Sequence, residues 1–148
     1  MTPDVNVLVA ASRSDHTHYL SARTWLVATL GDTPKARGKG GLSLLATVMA
    51  SFLRLVTHPR VFVMPTPVDQ AVAFVDAVLA CPGVDVLGTG PEWPLLRQLC
   101  LNQQLTANDV PDAWIAASVL QHGEVLVTFD RDFQKLLPAE HLQLLRPA

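Results

Sequence analysis

Short apolar segments alternate with longer helical patterns along the chain, and this alternation constrains the fold more than any other feature. Four runs are strand candidates, the last of them the weakest: 84–87, 125–127, 142–145 and 42–44. Apolar residues recurring at three- and four-residue steps predict helices near 19–30, 48–56, 72–79, 93–101 and 113–120. Helices interleaved with short buried strands are typical of a parallel sheet covered on both faces. The pattern therefore predicts an α/β sandwich.

The chain has 148 residues, the length of one ordinary domain, and we predict a single domain over residues 1–148. Clusters of proline and glycine, the first at residues 31–41, punctuate the sequence without dividing it. The segment Val5–Ala11 stays open at this point. An apolar run this short fits a buried strand as well as a short helix capped by Asp4.

Composition and charge limit the classes of protein and function that the chain can belong to. Hydrophobic residues make up 49% of the chain and charged residues 16%, which excludes a disordered protein. The formal net charge is −2, so the chain lacks the overall basic charge of many nucleic-acid binders. Contact with a polyanion would therefore need a local basic patch or a metal ion.

Three features predict a cytoplasmic protein without a membrane segment. The longest uncharged run, residues 40–53, has 14 residues, fewer than the roughly 20 that span a bilayer. An acid, Asp4, stands where a secretion signal would carry lysine or arginine. The two cysteines are too few for a disulfide framework and fit a reducing compartment.

Several enzyme and binding classes are disfavoured by missing motifs. The sequence has neither Gly-x-Ser-x-Gly, the nucleophile elbow of many hydrolases, nor the Gly-x-x-x-x-Gly-Lys-Ser/Thr loop that cradles nucleotide phosphates. A response-regulator receiver would need a lysine after a late strand, whereas Lys135 lies within a helical segment.

Aspartates are the main candidates for catalytic or metal-binding residues. Four of the ten lie within 24 residues: Asp109, Asp112, Asp130 and Asp132. Asp112 begins an apolar helical pattern, and Asp130 follows a buried strand at the end where α/β sheets bind ligands. Asp4, Asp15, Asp109 and Asp130 could instead each simply cap a helix. Carboxylates that converge, however, repel one another unless a cation neutralises them, and Mg²⁺ or Mn²⁺ prefers such oxygen ligands.

Four stretches carry a family resemblance: TPDVNVLVAA (2–11), ASFLRLVTHPRVF (50–62), VPDAWIAA (110–117) and LVTFDRDF (126–133). Together, in this order and spacing, they resemble PIN-domain ribonucleases, and more narrowly the VapC toxins of bacterial toxin–antitoxin pairs. The resemblance implies a three-layer α/β/α sandwich with a five-stranded parallel sheet. It also implies that Asp4 ends a very short first strand and that a helix follows from Val5.

The resemblance assigns roles to particular residues. It implies that Asp4, Asp112 and Asp130 are metal ligands and that Asp132 assists them, the four forming the catalytic set. It places the polar side chains of Asn6 and Thr128 near the metal. The implied cofactor is Mg²⁺ or Mn²⁺.

One position departs from the family pattern. Ser51 stands where PIN-domain ribonucleases usually have a glutamate, and a serine hydroxyl cannot replace the charge of a carboxylate. A hydroxyl or water could fill the metal shell, Asp109 or Asp132 could compensate, or the site could bind metal weakly. We favour weaker metal affinity with retained chemistry.

The resulting functional hypothesis is a metal-dependent endoribonuclease that acts as the toxin of a VapBC-type pair. Three arginines within or beside the matched stretches are candidates for RNA contact: Arg54, Arg60 and Arg131. The resemblance also implies a VapB-type antitoxin partner and a homodimer. The alternative is a weakly active or inactive PIN-like module that binds RNA or protein, because Ser51 breaks the acidic set.

The three tryptophans occur among apolar neighbours at helical spacing, which predicts that they belong mainly to the core. Trp114 follows Asp112 by two residues, so stacking on a nucleic-acid base is the alternative for this one.

Overall fold

The computed structural model describes residues 1–31 and 41–147; most of the predicted glycine-rich break at 31–41 lies outside these ranges. The helices and strands are β1 (Thr2–Pro3), α1 (Val5–Ser12), α2 (Tyr19–Gly31), β2 (Ser43–Leu45), α3 (Ala46–Val56), α4 (Val68–Leu79), β3 (Asp85–Leu87), α5 (Trp93–Gln103), α6 (Asp109–His122), β4 (Leu126–Thr128) and β5 (Leu142–Leu144). Two 3-10 turns, Arg131–Lys135 and Ala139–His141, connect β4 to β5. The predicted alternation of helices with short strands is confirmed.

The prediction of one five-stranded sheet is wrong for the described residues. All strand pairs are parallel, but they form a three-stranded sheet, β1-β4-β5, and a two-stranded sheet, β2-β3. Met1 bonds to the residues on either side of Leu42, because its amino group donates to Gly41 O at 3.0 Å and its carbonyl accepts from Ser43 N at 2.9 Å. Pro3 has no N–H to continue this ladder, so the pairing between β1 and β2 stops there.

The segment that the sequence pattern left open is helical. Asp4 follows β1 in an extended conformation, and its Oδ1 accepts a hydrogen bond from Val5 N at 2.7 Å. This bond caps α1 and satisfies one of the free N–H groups at its start. A strand of two residues thus turns directly into a buried helix, as the family resemblance implied.

The main core gathers the buried faces of α1, α3 and α6 against the strands. In α3, Val48, Phe52 and Val56 recur at four-residue steps and are fully buried, as expected for one face of a helix. Phe52 also packs on Phe74 of α4, with 5.4 Å between the ring centroids. A smaller cluster joins α5 to α6.

Helix α6 begins at Asp109 rather than at Asp112. Pro111 does not interrupt it, because the first turn of a helix tolerates proline. Gly123 ends the helix in a left-handed conformation with φ of 64°, as its position in the sequence predicted. Asp112 therefore lies in the first turn of α6.

Two of the three tryptophans are not core residues. Trp93 is 67% exposed and Trp114 is 43% exposed, whereas Trp25 packs partly buried against the main core. Within residues 1–31 and 41–147, no helix is both long enough and apolar enough to cross a membrane.

Candidate active site

Two neighbouring strands bring Asp4 and Thr128 together. Thr2 pairs with Leu126 and Pro3 with Val127. The residues that follow these pairs, Asp4 and Thr128, therefore lie side by side at the carboxyl edge of the sheet. There Thr128 Oγ1 donates to Asp4 Oδ2 at 2.7 Å, and both residues are buried. The strand register thus fixes the orientation of the Asp4 carboxylate.

Asn6, in the first turn of α1, completes this arrangement. Its Nδ2 lies 2.9 Å from Asp4 Oδ2 and 3.0 Å from Thr128 Oγ1, donating toward both. Its Oδ1 accepts from Phe129 N at 3.3 Å. Asn6 therefore ties the start of α1 to the segment that follows β4, in agreement with the predicted role of a polar neighbour of the acidic site.

Asp130 joins the same network through its backbone. Its N–H donates to Thr128 Oγ1 at 3.0 Å, and its Oδ1 accepts from Asp132 N at 2.8 Å. This second bond caps the 3-10 turn Arg131–Lys135. Asp130 is thus a turn cap, as the simpler interpretation predicted, and its other carboxylate oxygen is not part of that cap.

The electrostatics of Asp112 connect it to the other acids. Burial, as the largest cause, and the charges of four aspartates, Asp4, Asp130, Asp109 and Asp132, together raise the pKa of Asp112 to about 6. Negative side chains from the residue after β1, from the first turn of α6 and from the segment after β4 therefore act on one carboxyl group. Repulsion of this kind favours either a proton or a cation at the site.

The pKa of Asp4 is also raised, first by burial and then by the charge of Asp130, while the hydrogen bonds from Thr128 and Val5 N lower it. Among the described residues, the one ion pair formed by these aspartates is Asp132 Oδ1 with Lys135 Nζ at 3.8 Å, and both of its side chains are exposed. Within residues 1–31 and 41–147, Asp4 and Asp112 thus pair with no lysine, arginine or histidine.

A family model identifies the fold class. The model of the PIN domain matches residues 1–136. The chain belongs to the PIN-domain family. Ribonuclease VapC31 of Mycobacterium tuberculosis is 37% identical over 142 residues, which cover 95% of this chain and 95% of that protein.

Solved structures agree on the fold. VapBC2 from Rickettsia felis, bound to a DNA fragment from their promoter, matches with a TM-score of 0.67 and 17% identity over 98% of both chains. Mycobacterium tuberculosis VapC20, described as a Sarcin-Ricin loop cleaving toxin, matches with a TM-score of 0.60 and 18% identity over 90% of this chain and 92% of that one. At these identities the comparison establishes the shared PIN fold.

The donor chemistry of this PIN-domain site fits a hard divalent cation. Asp4, Asp112 and Asp130 offer carboxylate oxygens, and Mg²⁺ commonly takes one or two protein carboxylates and keeps several waters. Among residues 1–31 and 41–147, no group of three or more His, Cys, Asp or Glu side chains is arranged so that it could hold a metal ion. An ion bound by these aspartates would therefore need water or substrate to complete its coordination.

Helix α3 contributes none of the acids that act on Asp112. Ser51 is half-buried within this helix. The acids that act on Asp112 come from other elements. The neutral residue at this position is consistent with a site that has fewer carboxylates than the family pattern.

The three candidate arginines have exposed side chains. Arg54 lies in the last turn of α3, Arg60 lies in the turn that follows it, and Arg131 begins the 3-10 turn after Asp130. In the described residues none of these three forms an ion pair. Arg131 is thus adjacent in sequence to the acidic site, and all three guanidinium groups are open to solvent.

One contact beside the site could not be predicted from the sequence. The ring of His18 stacks on Phe129, with 4.8 Å between centroids and 24° between planes, across 111 positions of sequence. Since Phe129 N also donates to Asn6, the stack supports the segment that carries Asp130. Only the three-dimensional packing of the α1–α2 connection on this segment reveals the contact.

Proposed function

We propose that this PIN-domain protein is a metal-dependent endoribonuclease and the toxin of a VapBC-type pair. The observation that carries the proposal is the concentration of negative charge around Asp112. Burial and four neighbouring aspartates together raise the pKa of Asp112 to about 6. Similarity to Ribonuclease VapC31 across 95% of the chain supports RNA as the substrate class.

Hydrolysis of a phosphodiester needs a nucleophilic water and relief of negative charge at the phosphorus. Bound Mg²⁺ or Mn²⁺ would supply both, by lowering the pKa of a water and by holding phosphate oxygens. An acidic pocket and an anionic RNA can then occupy the same site. This resolves the conflict between a net charge of −2 and a polyanionic substrate.

In this proposal the side chains have distinct roles. Asp4, Asp112 and Asp130 would hold the ion through their carboxylate oxygens. Thr128 and Asn6 orient the Asp4 carboxylate by donating to its Oδ2. Since Asp132 has an exposed side chain beside this set, we propose that it positions water.

The arginines would bind the RNA backbone. Guanidinium groups contact phosphates through two parallel N–H bonds. Arg131 directly follows Asp130, and Arg54 and Arg60 are exposed at and beyond the end of α3. They would supply the local positive charge that the composition of the whole chain lacks.

The proposed partners follow from the same acidic pocket. A VapB-type antitoxin would fit it through a basic side chain, which would compete for the site with the cation and the RNA. VapBC2 from Rickettsia felis is a toxin–antitoxin complex with the same fold, which supports a partner of this kind. We further propose that the toxin is a cytoplasmic homodimer.

A specific observation favours a second candidate function, a PIN module that binds RNA or protein without cutting it. Ser51 provides no charge, and the described residues contain no ready-made group of three metal ligands. In this alternative the aspartates would bind no metal ion, and the protein would bind RNA without cleaving it.

The decisive experiment compares RNA cleavage by the wild type, Asp112→Asn and Asp76→Asn, each with Mg²⁺, with Mn²⁺ and with EDTA. Asp76 is an exposed aspartate of α4 and provides a matched control. We expect cleavage only with metal, a loss of about a hundredfold or more in Asp112→Asn, and no change in Asp76→Asn. Undiminished cleavage by Asp112→Asn would remove its assigned role. An inactive wild type whose melting temperature does not respond to millimolar metal would favour the non-catalytic module.

A further inference from the structure

A small cavity lies between the start of α3, the segment after β3 and the outer face of α6. The residues lining it include Thr47, Gly88, Thr89, Glu92, Trp114 and Ser118. The cavity has a volume of about 10 Å³, room for one water molecule, and about 200 Å³ of empty space when the part open to solvent is included. None of these residues belongs to the acidic set described above.

The cavity opens at the same edge of the fold as the acidic site. Leu45, the last residue of β2, lines it, and Asp4 follows the last residue of β1. Met1 bonds to Gly41 and Ser43 in the pattern of neighbouring parallel strands. Strands paired in this way lie about 4.8 Å apart. An RNA strand whose phosphate lies at the acids therefore has the cavity within reach of an adjacent nucleotide.

Trp114 forms an aromatic wall of the cavity. It is 43% exposed, although large aromatic side chains are usually covered in a core. An exposed indole beside a cleft is a stacking platform for unpaired bases, because every base has a π-face. Trp93 is even more exposed but does not line the cavity, so exposure alone does not define the platform.

Glu92 provides a hydrogen-bond acceptor at the cavity. It is only 6% exposed, and its Oε1 accepts from Gly90 N at 2.8 Å. Within the described part of the chain it has no ion pair. Although Glu92 precedes α5, its side chain does not cap that helix. The segment is held further by a contact of 3.1 Å between His122 Nε2 and Gly88 O.

We propose that the open mouth of this cavity binds an unpaired guanine of the RNA, stacked on Trp114, with its Watson–Crick edge donating to Glu92. Guanine presents two adjacent N–H donors on that edge, which match the two oxygens of a carboxylate. Uracil presents carbonyl oxygens on both sides of its single N–H, and these repel a carboxylate. Single-stranded RNA is commonly recognised in this way, by stacking and by hydrogen bonds to the base edge. The inference rests on the proposed function, because it assigns a base preference to the same RNA-binding site.

The test uses fluorescently labelled six-nucleotide RNAs, one of uracil alone and others with a single guanine, adenine or cytosine. Binding is measured in an Asp112→Asn background, with Mg²⁺, so that the RNA stays intact. We expect the guanine-containing RNA to bind best. Trp114→Ala should weaken its binding about tenfold, whereas the control Trp93→Ala should change it less than twofold. The isosteric Glu92→Gln should abolish the preference for guanine over uracil while oligo-uridine binding stays the same.

Several results would overturn the cavity proposal. These are equal binding of all four RNAs, equal effects of Trp114→Ala and Trp93→Ala, or an unchanged guanine preference in Glu92→Gln. RNA cleavage by the wild type, assayed separately, distinguishes this failure from failure of the proposed function. If the protein cleaves RNA without any base preference, only the proposal for guanine binding at the cavity is refuted. A protein that neither binds nor cuts RNA would refute both proposals.

Discussion

Thr128 donates its hydroxyl hydrogen to Asp4 Oδ2 at 2.7 Å, although the two residues lie 124 positions apart in the sequence. The same hydroxyl accepts from Asp130 N at 3.0 Å and lies 3.0 Å from Asn6 Nδ2. One buried oxygen thus connects β1, α1 and the segment after β4. Thr128 holds the Asp4 carboxylate in place and lowers its pKa against the effect of burial.

Replacing this hydroxyl by a methyl group should therefore damage the site without changing its shape. Thr128→Val removes the acceptor of Asp130 N and Asn6 Nδ2. It leaves the Asp4 carboxylate with only its hydrogen bonds from Val5 N and Asn6 Nδ2. We expect a loss of about 1–3 kcal/mol in the free energy of unfolding and a drop of about tenfold in RNA cleavage. Urea denaturation and a cleavage assay measure the two effects. Thr24→Val, at an exposed position of α2, is the control; equal behaviour of the two variants would show that the network is unimportant.

Removing the charge of Asp112 should stabilise the metal-free protein above about pH 6. The pKa of Asp112 rises from 3.8 to about 6 on folding, so the folded state binds its proton more tightly than the unfolded state. Stability contributed by this group is therefore complete below about pH 4 and is lost as the pH rises to about 6. In EDTA, Asp112→Asn should melt several degrees above the wild type at pH 8.

The pH dependence of this difference identifies its cause. The gain in melting temperature should be much smaller at pH 4, where the carboxyl group is protonated in the folded state and partly protonated in the unfolded state, whose pKa is 3.8. Asp76→Asn, in exposed surroundings, should show no such gain at either pH. A gain of equal size at pH 4 and pH 8 would mean that repulsion among the acids is not responsible.

Divalent metal should stabilise the wild type in a manner that also depends on pH. A cation bound only by the folded state raises the melting temperature, and protons compete with it for the raised-pKa carboxyl groups of Asp4 and Asp112. Thermal scans with millimolar Mn²⁺ should therefore show a larger upward shift at pH 8 than at pH 5. Asp112→Asn should lose most of the shift. A shift that is equal at both pH values would indicate binding elsewhere on the protein.

Much of this fold could be predicted because it depends on local chemistry. Alternating apolar segments predicted the elements, and Gly123 marked the end of α6. The expected position of Asp4 at the junction of strand and helix was correct because one carboxylate can both cap α1 and remain at the sheet edge. The single five-stranded sheet failed at Pro3, where a missing N–H stops the ladder.

The remaining features depend on contacts between distant segments, which a pattern along the chain does not contain. Trp114 has the helical spacing of a core residue, but it lies on the face of α6 that is left partly open beside Glu92. The stack of His18 on Phe129 could not be predicted either, because neither residue type indicates the presence of the other. Charge repulsion at Asp112 was expected from the number of aspartates, whereas its size depends on burial.

Restoring the acid that the family pattern has in α3 should strengthen metal binding. We predict that Ser51→Glu binds Mn²⁺ about tenfold more tightly than the wild type, because a fourth carboxylate adds charge and oxygen ligands. Calorimetric titration at pH 8 measures the affinity. Ala50→Glu adds the same charge at an exposed neighbouring position and should have little effect. Equal gains in both variants would mean that only overall charge matters and that Ser51 does not face the site.

We propose that Asp4, Asp112 and Asp130 share one divalent cation. Crystals of the wild type grown with Mn²⁺ would reveal this ion by its anomalous scattering. We expect one strong peak within about 2.5 Å of carboxylate oxygens of these aspartates, with water in the remaining positions. A well-ordered site without a peak at saturating Mn²⁺, or a peak bound only to residues outside this set, would contradict it.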